Sequence, residues 1–211
     1  MSTDDFDALA ARADLCRLLA ACFFEPGPEF AEEKLFDSMV KAASCVDAAL
    51  AEHARRLGDA YAAEDAQELL VDYTRLFLGP VEALSQPYGS VWLEQRQSLM
   101  QDSTLAVISL YEAGGVEVDE DFRDLPDHIV AELEFLYLLL FRRAEALRNE
   151  DADAAARYTG LQRRLLDEHL GRWAQPFAAA MLEGAQTAFY RELAALTDLF
   201  VRSEAISVAQ P

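Results

Sequence analysis

Leu125-Pro-Asp-His-Ile-Val-Ala-Glu-Leu-Glu-Phe-Leu-Tyr-Leu-Leu-Leu-Phe141 decides the fold. Ile129, Leu133, Phe135, Leu136, Tyr137, Leu138, Leu139, Leu140 and Phe141 point in every direction around a helix, so this element is central and covered on most sides. Pro126 suits a first helical turn, where a missing N–H costs nothing. Either Asp124 or Asp127 caps or charge-complements that end. The pattern predicts a helix from there to about Asn149. Phe135–Phe141 is the longest apolar run, and a bilayer span takes roughly 20 residues.

Outward from this element, apolar residues recur at helical spacing. Phe6, Leu9, Ala13, Cys16, Ala20 and Phe23 form one face of a helix over Asp4–Phe24, ended by Glu25-Pro-Gly-Pro28. Further helices are predicted over Glu29–Ala43, Val46–Leu57, Glu64–Leu78, Trp92–Ala113, Ala152–Leu170 and Gln186–Val201. A kink or break is expected near Gly171 and Pro176, irregular acidic chain over Val116–Leu125, and a fraying tail over 203–211. No segment alternates with period two. The chain therefore reads as all-α, a single-domain bundle of about 8–10 helices over residues 1–211.

A second segment carries the functional signal: Tyr73-Thr-Arg-Leu-Phe-Leu-Gly-Pro80, then Pro87-Tyr-Gly-Ser-Val-Trp92. Gly79 stands where a left-handed C-terminal residue is wanted, and Pro80 cannot continue the helix. The loop that follows bears Tyr88 and Trp92. If this junction meets the one at Asp127 and His128, the two form an apolar trough with a few polar anchors, the usual make-up of a binding groove. The simpler reading places Tyr73 and Phe77 in the core, with Trp92 capping it.

Acidic residues number 38 and basic ones 18, a net charge of −20. Phosphate backbones are bound through Lys and Arg, so nucleic acid is excluded as a partner, and so is an anionic membrane surface. The charge either favours a cationic partner or, more simply, keeps a soluble protein soluble. With 52% hydrophobic residues a sizeable core is available. The three cysteines, Cys16, Cys22 and Cys45, are odd in number and form no Cys-x-x-Cys pair, which fits a reducing compartment. The first residues carry no secretory signal, and the expected location is the cytoplasm.

No phosphate loop, dinucleotide fingerprint or nucleophile elbow occurs. A di-metal bundle needs Glu-x-x-His on two helices, and that motif is absent. His53, His128 and His169 are the only histidines. His128 and Glu132 are one turn apart, a spacing typical of a local hydrogen bond. His53 and His169 read as surface or satisfied helix residues. Neither metal nor cofactor is expected, nor is enzymatic activity.

These segments, with Glu168-His-Leu-Gly-Arg-Trp173 and Phe189-Tyr-Arg-Glu-Leu-Ala-Ala-Leu-Thr197, resemble the TorD/DmsD family of redox enzyme maturation chaperones. The resemblance implies an all-helical cytoplasmic chaperone. Such a protein binds the N-terminal twin-arginine leader and the apo form of a molybdopterin oxidoreductase catalytic subunit until the client receives its cofactor. It places leader binding on Tyr73, Leu76, Phe77, Pro87, Tyr88, Ser90, Trp92, Asp127 and His128. Asp127 either meets the leader or orients His128 and caps its helix. The protein works as a monomer or a helix-exchanged homo-oligomer. Two alternatives stand beside this reading: a helical acid–base enzyme using His128 and Glu132, and an oligomeric scaffold.

Overall fold

The structure is a computed structural model that describes residues 3–79, 83–94, 101–117 and 124–209. Among the described residues eleven α-helices follow one another: α1 (Thr3–Ala21), α2 (Glu29–Glu32), α3 (Leu35–Ser44), α4 (Ala48–Ala63), α5 (Ala66–Tyr73), α6 (Gly89–Leu93), α7 (Asp102–Gly114), α8 (Ile129–Arg148), α9 (Ala152–Glu168), α10 (Leu170–Gly184) and α11 (Ala188–Ala209). Among the described residues there is no strand, only an isolated antiparallel bridge between Tyr88 and His128. Among the described residues no helix is long and apolar enough to cross a membrane.

Local chemistry sets the boundaries. Asp47, Asp65 and Asp151 each accept a backbone N–H of the following turn, the usual role of an N-cap carboxylate. Gly115 closes α7 in the left-handed region at φ 72°. Helix α5 runs into a π-turn over Thr74–Leu78, which Gly79 ends at φ 58° by donating to the Thr74 carbonyl. The Pro80 part of that stop signal and the expected helical residues 95–100 lie outside the described residues, as do residues 118–123 of the acidic stretch.

Helix α8 is the central element, as its pattern requires. Ile129, Val130, Leu133, Leu136, Leu139 and Leu140 are buried, and its most extensive packing is against α1. Phe141 alone of the apolar run stands well exposed. Cys16 and Cys22 are buried fillers in α1, and burial raises both thiol pKa values.

Five expectations are corrected. The single helix predicted over Trp92–Ala113 is two, since α6 ends at Leu93 and α7 begins at Asp102, with Glu94 and Gln101 in extended conformations. The helix predicted over Glu29–Ala43 is split, because Lys34 adopts a left-handed conformation at φ 54°. Pro126 precedes α8, and His128 caps it: its Nδ1 accepts from Val130 N at 3.2 Å. The break after α9 falls at His169, while Pro176 sits inside an unbroken α10. A proline there forfeits one backbone bond, and burial of Trp173, Phe177 and Ala178 around it outweighs that loss. Helix α11 does not fray after Arg202 but continues to Ala209. Glu204, fully buried, receives Arg12 Nε at 2.7 Å, Arg12 Nη2 at 2.8 Å and Gln162 Nε2 at 3.1 Å.

Candidate functional site

The loop after the π-turn is tied to α8 by backbone. Ile129 N donates to Pro87 O, and Gly89 N donates to Asp127 O, both at 2.8 Å. Ser90 N donates to Asp127 Oδ2 at 2.8 Å. The two junctions predicted from sequence therefore meet along residues 87–90 and 127–129. At its start the loop is pinned to the π-turn by Ser85 N donating to Leu76 O, and to α10 by Ser85 Oγ donating to Phe177 O. Trp92 Nε1 donates back to Gln86 O at 2.8 Å, closing the loop on itself.

The nine candidate residues divide by depth. Leu76, Phe77, Pro87, Ser90, Asp127 and His128 are buried and form a floor. Tyr73, Tyr88 and Trp92 are half-buried and present an edge to solvent. Phe177 lies beneath, its ring 6.2 Å from Phe77 and 6.3 Å from Trp92. Phe77 in turn packs edge-on against Tyr73 at 5.4 Å. Core and surface are thus joined by one aromatic stack, of which only the outer members reach water.

Asp127 caps neither its own helix nor open space. Its carboxylate serves the N-terminus of α6, a segment 37 residues earlier, so α6 borrows its cap from the opposite junction. The ring of His128 packs edge-on against Tyr88 at 5.2 Å. Burial depresses its pKa, against the opposing pull of Asp124 and Asp127. Its partner in the acid–base alternative is engaged elsewhere, since Glu132 pairs with His169.

The outer edge is acidic. Tyr88 donates its hydroxyl to Asp124 Oδ1 at 2.7 Å. Burial, then that bond and the Asp124 charge, push the Tyr88 pKa up. Burial also raises that of Tyr73, which feels the charges of Asp124 and Glu25. Two tyrosines flanked by two carboxylates suit a cationic side chain, which the ring faces and the charges both attract.

The sequence paired Glu132 with His128 and read His169 as a surface or satisfied helix residue, so the grouping behind the loop was missed. His169, Glu132 and Trp173 form a buried polar group. A Cβ on Gly89 would lie 2.9 Å from His169 and 3.0 Å from Trp173. No local pattern links Glu132 to His169. The glycine between Tyr88 and Ser90 was the one available hint, since a glycine inside an ordered loop marks close backbone approach. A separate cleft of about 280 Å³, lined by Phe30, Phe36 and Tyr61 among others, contains none of the nine residues. No group of three or more His, Cys, Asp or Glu suited to a metal occurs among the described residues.

Comparison with known proteins connects this arrangement to relatives. The chain is 32% identical over 127 residues to the Tat proofreading chaperone DmsD of Salmonella typhi, covering 60% of this chain and 55% of the relative. It is 34% identical over 107 residues to the selenate reductase assembly chaperone protein of Thauera selenatis, covering 50% and 54%. It is 28% identical over 139 residues to the chaperone protein TorD of Aliivibrio fischeri, covering 65% and 62%. The chain spans about half the length of the first curated relatives it matches. These relatives are named as chaperones, not as enzymes. A solved structure described as a redox enzyme maturation protein from Archaeoglobus fulgidus superposes with a TM-score of 0.53 at 20% identity, covering 94% of each chain, and so shares the all-helical fold. The nitrate reductase delta subunit family matches residues 43–179, which hold the π-turn, the loop, α8 and the His169–Trp173 segment, and the chain belongs to that family.

Proposed function

We propose that the protein is a cytoplasmic assembly chaperone. It binds the N-terminal leader and apo form of a molybdopterin-dependent oxidoreductase and holds that client until its cofactor is in place. One observation carries the reading: in a chain of this family, the Tyr73–Trp92 and Asp127–Ile129 junctions are hydrogen-bonded into one surface whose exposed members are aromatic and whose rim is acidic. The leader's apolar residues pack on Tyr73, Tyr88 and Trp92, while its arginines meet Asp124 and Glu25. Leu76, Phe77, Pro87, Ser90, Asp127 and His128 support that surface from below. Burying each large leader side chain contributes roughly 1.5–3 kcal/mol before the cost of ordering the peptide.

Calorimetric titration with a twin-arginine leader peptide tests the reading. Tyr88→Ala and Trp92→Ala are expected to weaken binding on the order of tenfold or more each. Val71→Ala, at an exposed position on α5, serves as control. Equal affinities across all three variants would remove the groove from this surface.

A further inference from the structure

A buried acid–imidazole pair lies directly behind the loop. His169 and Glu132 are 2% and 0% exposed. His169 Nδ1 lies 2.8 Å from Glu132 Oε2, and Nε2 lies 2.9 Å from the Ser103 carbonyl oxygen. Trp173 Nε1 donates to the second carboxylate oxygen at 3.1 Å. A carbonyl oxygen only accepts, and so does an ionised carboxylate, so both ring nitrogens must donate. The pair thus holds two protons across the Nδ1–Oε2 and Nε2–O contacts. It is an imidazolium facing a carboxylate, or equivalently a neutral ring facing a carboxylic acid. Remove one proton, and a lone pair faces an acceptor at Glu132 or at Ser103. Either way one link is lost.

Gly89 couples this pair to the loop. A Cβ there would stand 2.9 Å from His169 Cε1, 3.0 Å from Trp173 Nε1 and 3.1 Å from Glu132 Oε1. The loop backbone is therefore seated on the pair with no side chain between them. Tyr88 is the adjacent residue, and Trp92 is three further on. The pair also joins the elements that flank the seat: α7 through Ser103, α8 through Glu132 and α10 through Trp173. The loop is otherwise held by its bonds at Pro87, Asp127 and Ser85, while Ser90 Oγ, Ser103 Oγ and Asp127 Oδ1 are buried without a protein partner.

We propose that the His169–Glu132 pair is a proton-held latch for the loop bearing Tyr88 and Trp92, so that leader affinity falls when the pair gives up a proton. This regulation rests on the leader-binding reading above. The ionisable groups facing the pair are Asp127, ahead of α8, and Tyr111, from α7. Burial opposes charge on His169, but Glu132, with the Ser103 carbonyl and Asp127, outweighs it and raises the His169 pKa above 6.5. Burial raises Glu132 too, against the pull of His169. Burial likewise raises Tyr111, which stays neutral throughout. Both members of the pair hold a proton more tightly in the folded state. The latch is closed at about pH 6.5 and opens as pH rises through the raised His169 value. His128 is shifted the other way and titrates below that window.

Glu132→Gln provides the test. Its amide nitrogen can donate to His169 Nδ1 while its oxygen accepts from Trp173, and His169 Nε2–H still donates to Ser103. The network is then complete without charge. Leader-peptide affinity is measured at about pH 6.5, 7.5 and 9, together with amide-exchange protection of Gly89 and Ser90 in the free protein. Wild-type affinity is expected to fall on the order of tenfold across that range, one hydrogen bond's worth. Protection at Gly89 and Ser90 falls with it, and both quantities stay flat in Glu132→Gln. Equal pH slopes in the two proteins would overturn the latch. Should the variant not fold, pH-independent protection in the wild type overturns it alone. If neither protein binds peptide at any pH but the difference in protection persists, the leader reading fails and the latch stands.

Discussion

Replacing Gly89 by alanine adds a single methyl group, and the structure says what it meets. The three nearest atoms belong to His169, Trp173 and Glu132, at 2.9, 3.0 and 3.1 Å. None is the free end of a flexible chain, because the three side chains are bonded to one another and buried. The methyl must displace the loop or break that group. Overpacking costs about 1–3 kcal/mol, and a buried polar group left unpaired costs about 1–3 kcal/mol more. A combined loss of about 2–6 kcal/mol lowers the melting temperature by about 4–24 °C for a chain of this size. Urea denaturation at neutral pH gives the free energy directly. Gly160→Ala is the internal control: nothing lies within 4 Å of its added Cβ, and it sits inside α9. That change is expected to stabilise by about 0.5–1 kcal/mol, as glycine is a poor helix former. Should Gly89→Ala match Gly160→Ala in sign and size, the claim that the loop is seated on the buried group is wrong.

Two further outcomes follow from the same geometry. Asp72, 1% exposed, accepts Gln186 N, Thr187 N and Thr187 Oγ1 on one oxygen and Arg75 on the other. Asp72→Ala strands those buried donors where α5 meets α11, and chemical denaturation should record a loss of about 3–5 kcal/mol; a loss under about 1 kcal/mol contradicts it. His128 has a pKa depressed by burial, so below about pH 6.5 the unfolded chain takes up a proton before the folded one, and stability is lost as pH falls. In His128→Asn, which keeps an N-cap acceptor, part of that acid-side decline disappears. Denaturation midpoints at about pH 7.5 and 5.5 check this, and identical pH dependence in both proteins counts against a buried neutral imidazole.

Much of the fold was readable because it is written in local periodicity. The apolar run after His128 could only be a covered helix, and Gly79 could only be a helix end. What escaped depends on pairs distant in sequence. Asp127 was read as a leader contact or a local cap, yet its acceptor role is exercised on Ser90. Glu204 looked like part of a fraying tail, yet it is held by Arg12, 192 residues earlier. The break expected near Gly171 falls at His169, but Pro176, which also looked like a break, sits in a helix that burial of the surrounding aromatics keeps intact. The site was legible as a set of segments but not in depth. Pattern cannot tell an aromatic residue that floors a groove from one that lines it, so Phe77 and Tyr88 looked equivalent. Glu132 and His169 carry no periodic signal at all, because their pairing is a product of how α8 packs near α9 and α10.

The claim on which the account turns is that the two junctions form one surface that grips a leader. Chemical-shift mapping with a twin-arginine leader peptide addresses it most directly. The account predicts that the largest changes fall on the side chains of Tyr73 and Tyr88 and on the indole N–H of Trp92, with the cleft around Phe36 and Tyr61 undisturbed. Changes concentrated in that cleft, with Tyr88 and Trp92 unmoved at saturating peptide, would contradict it.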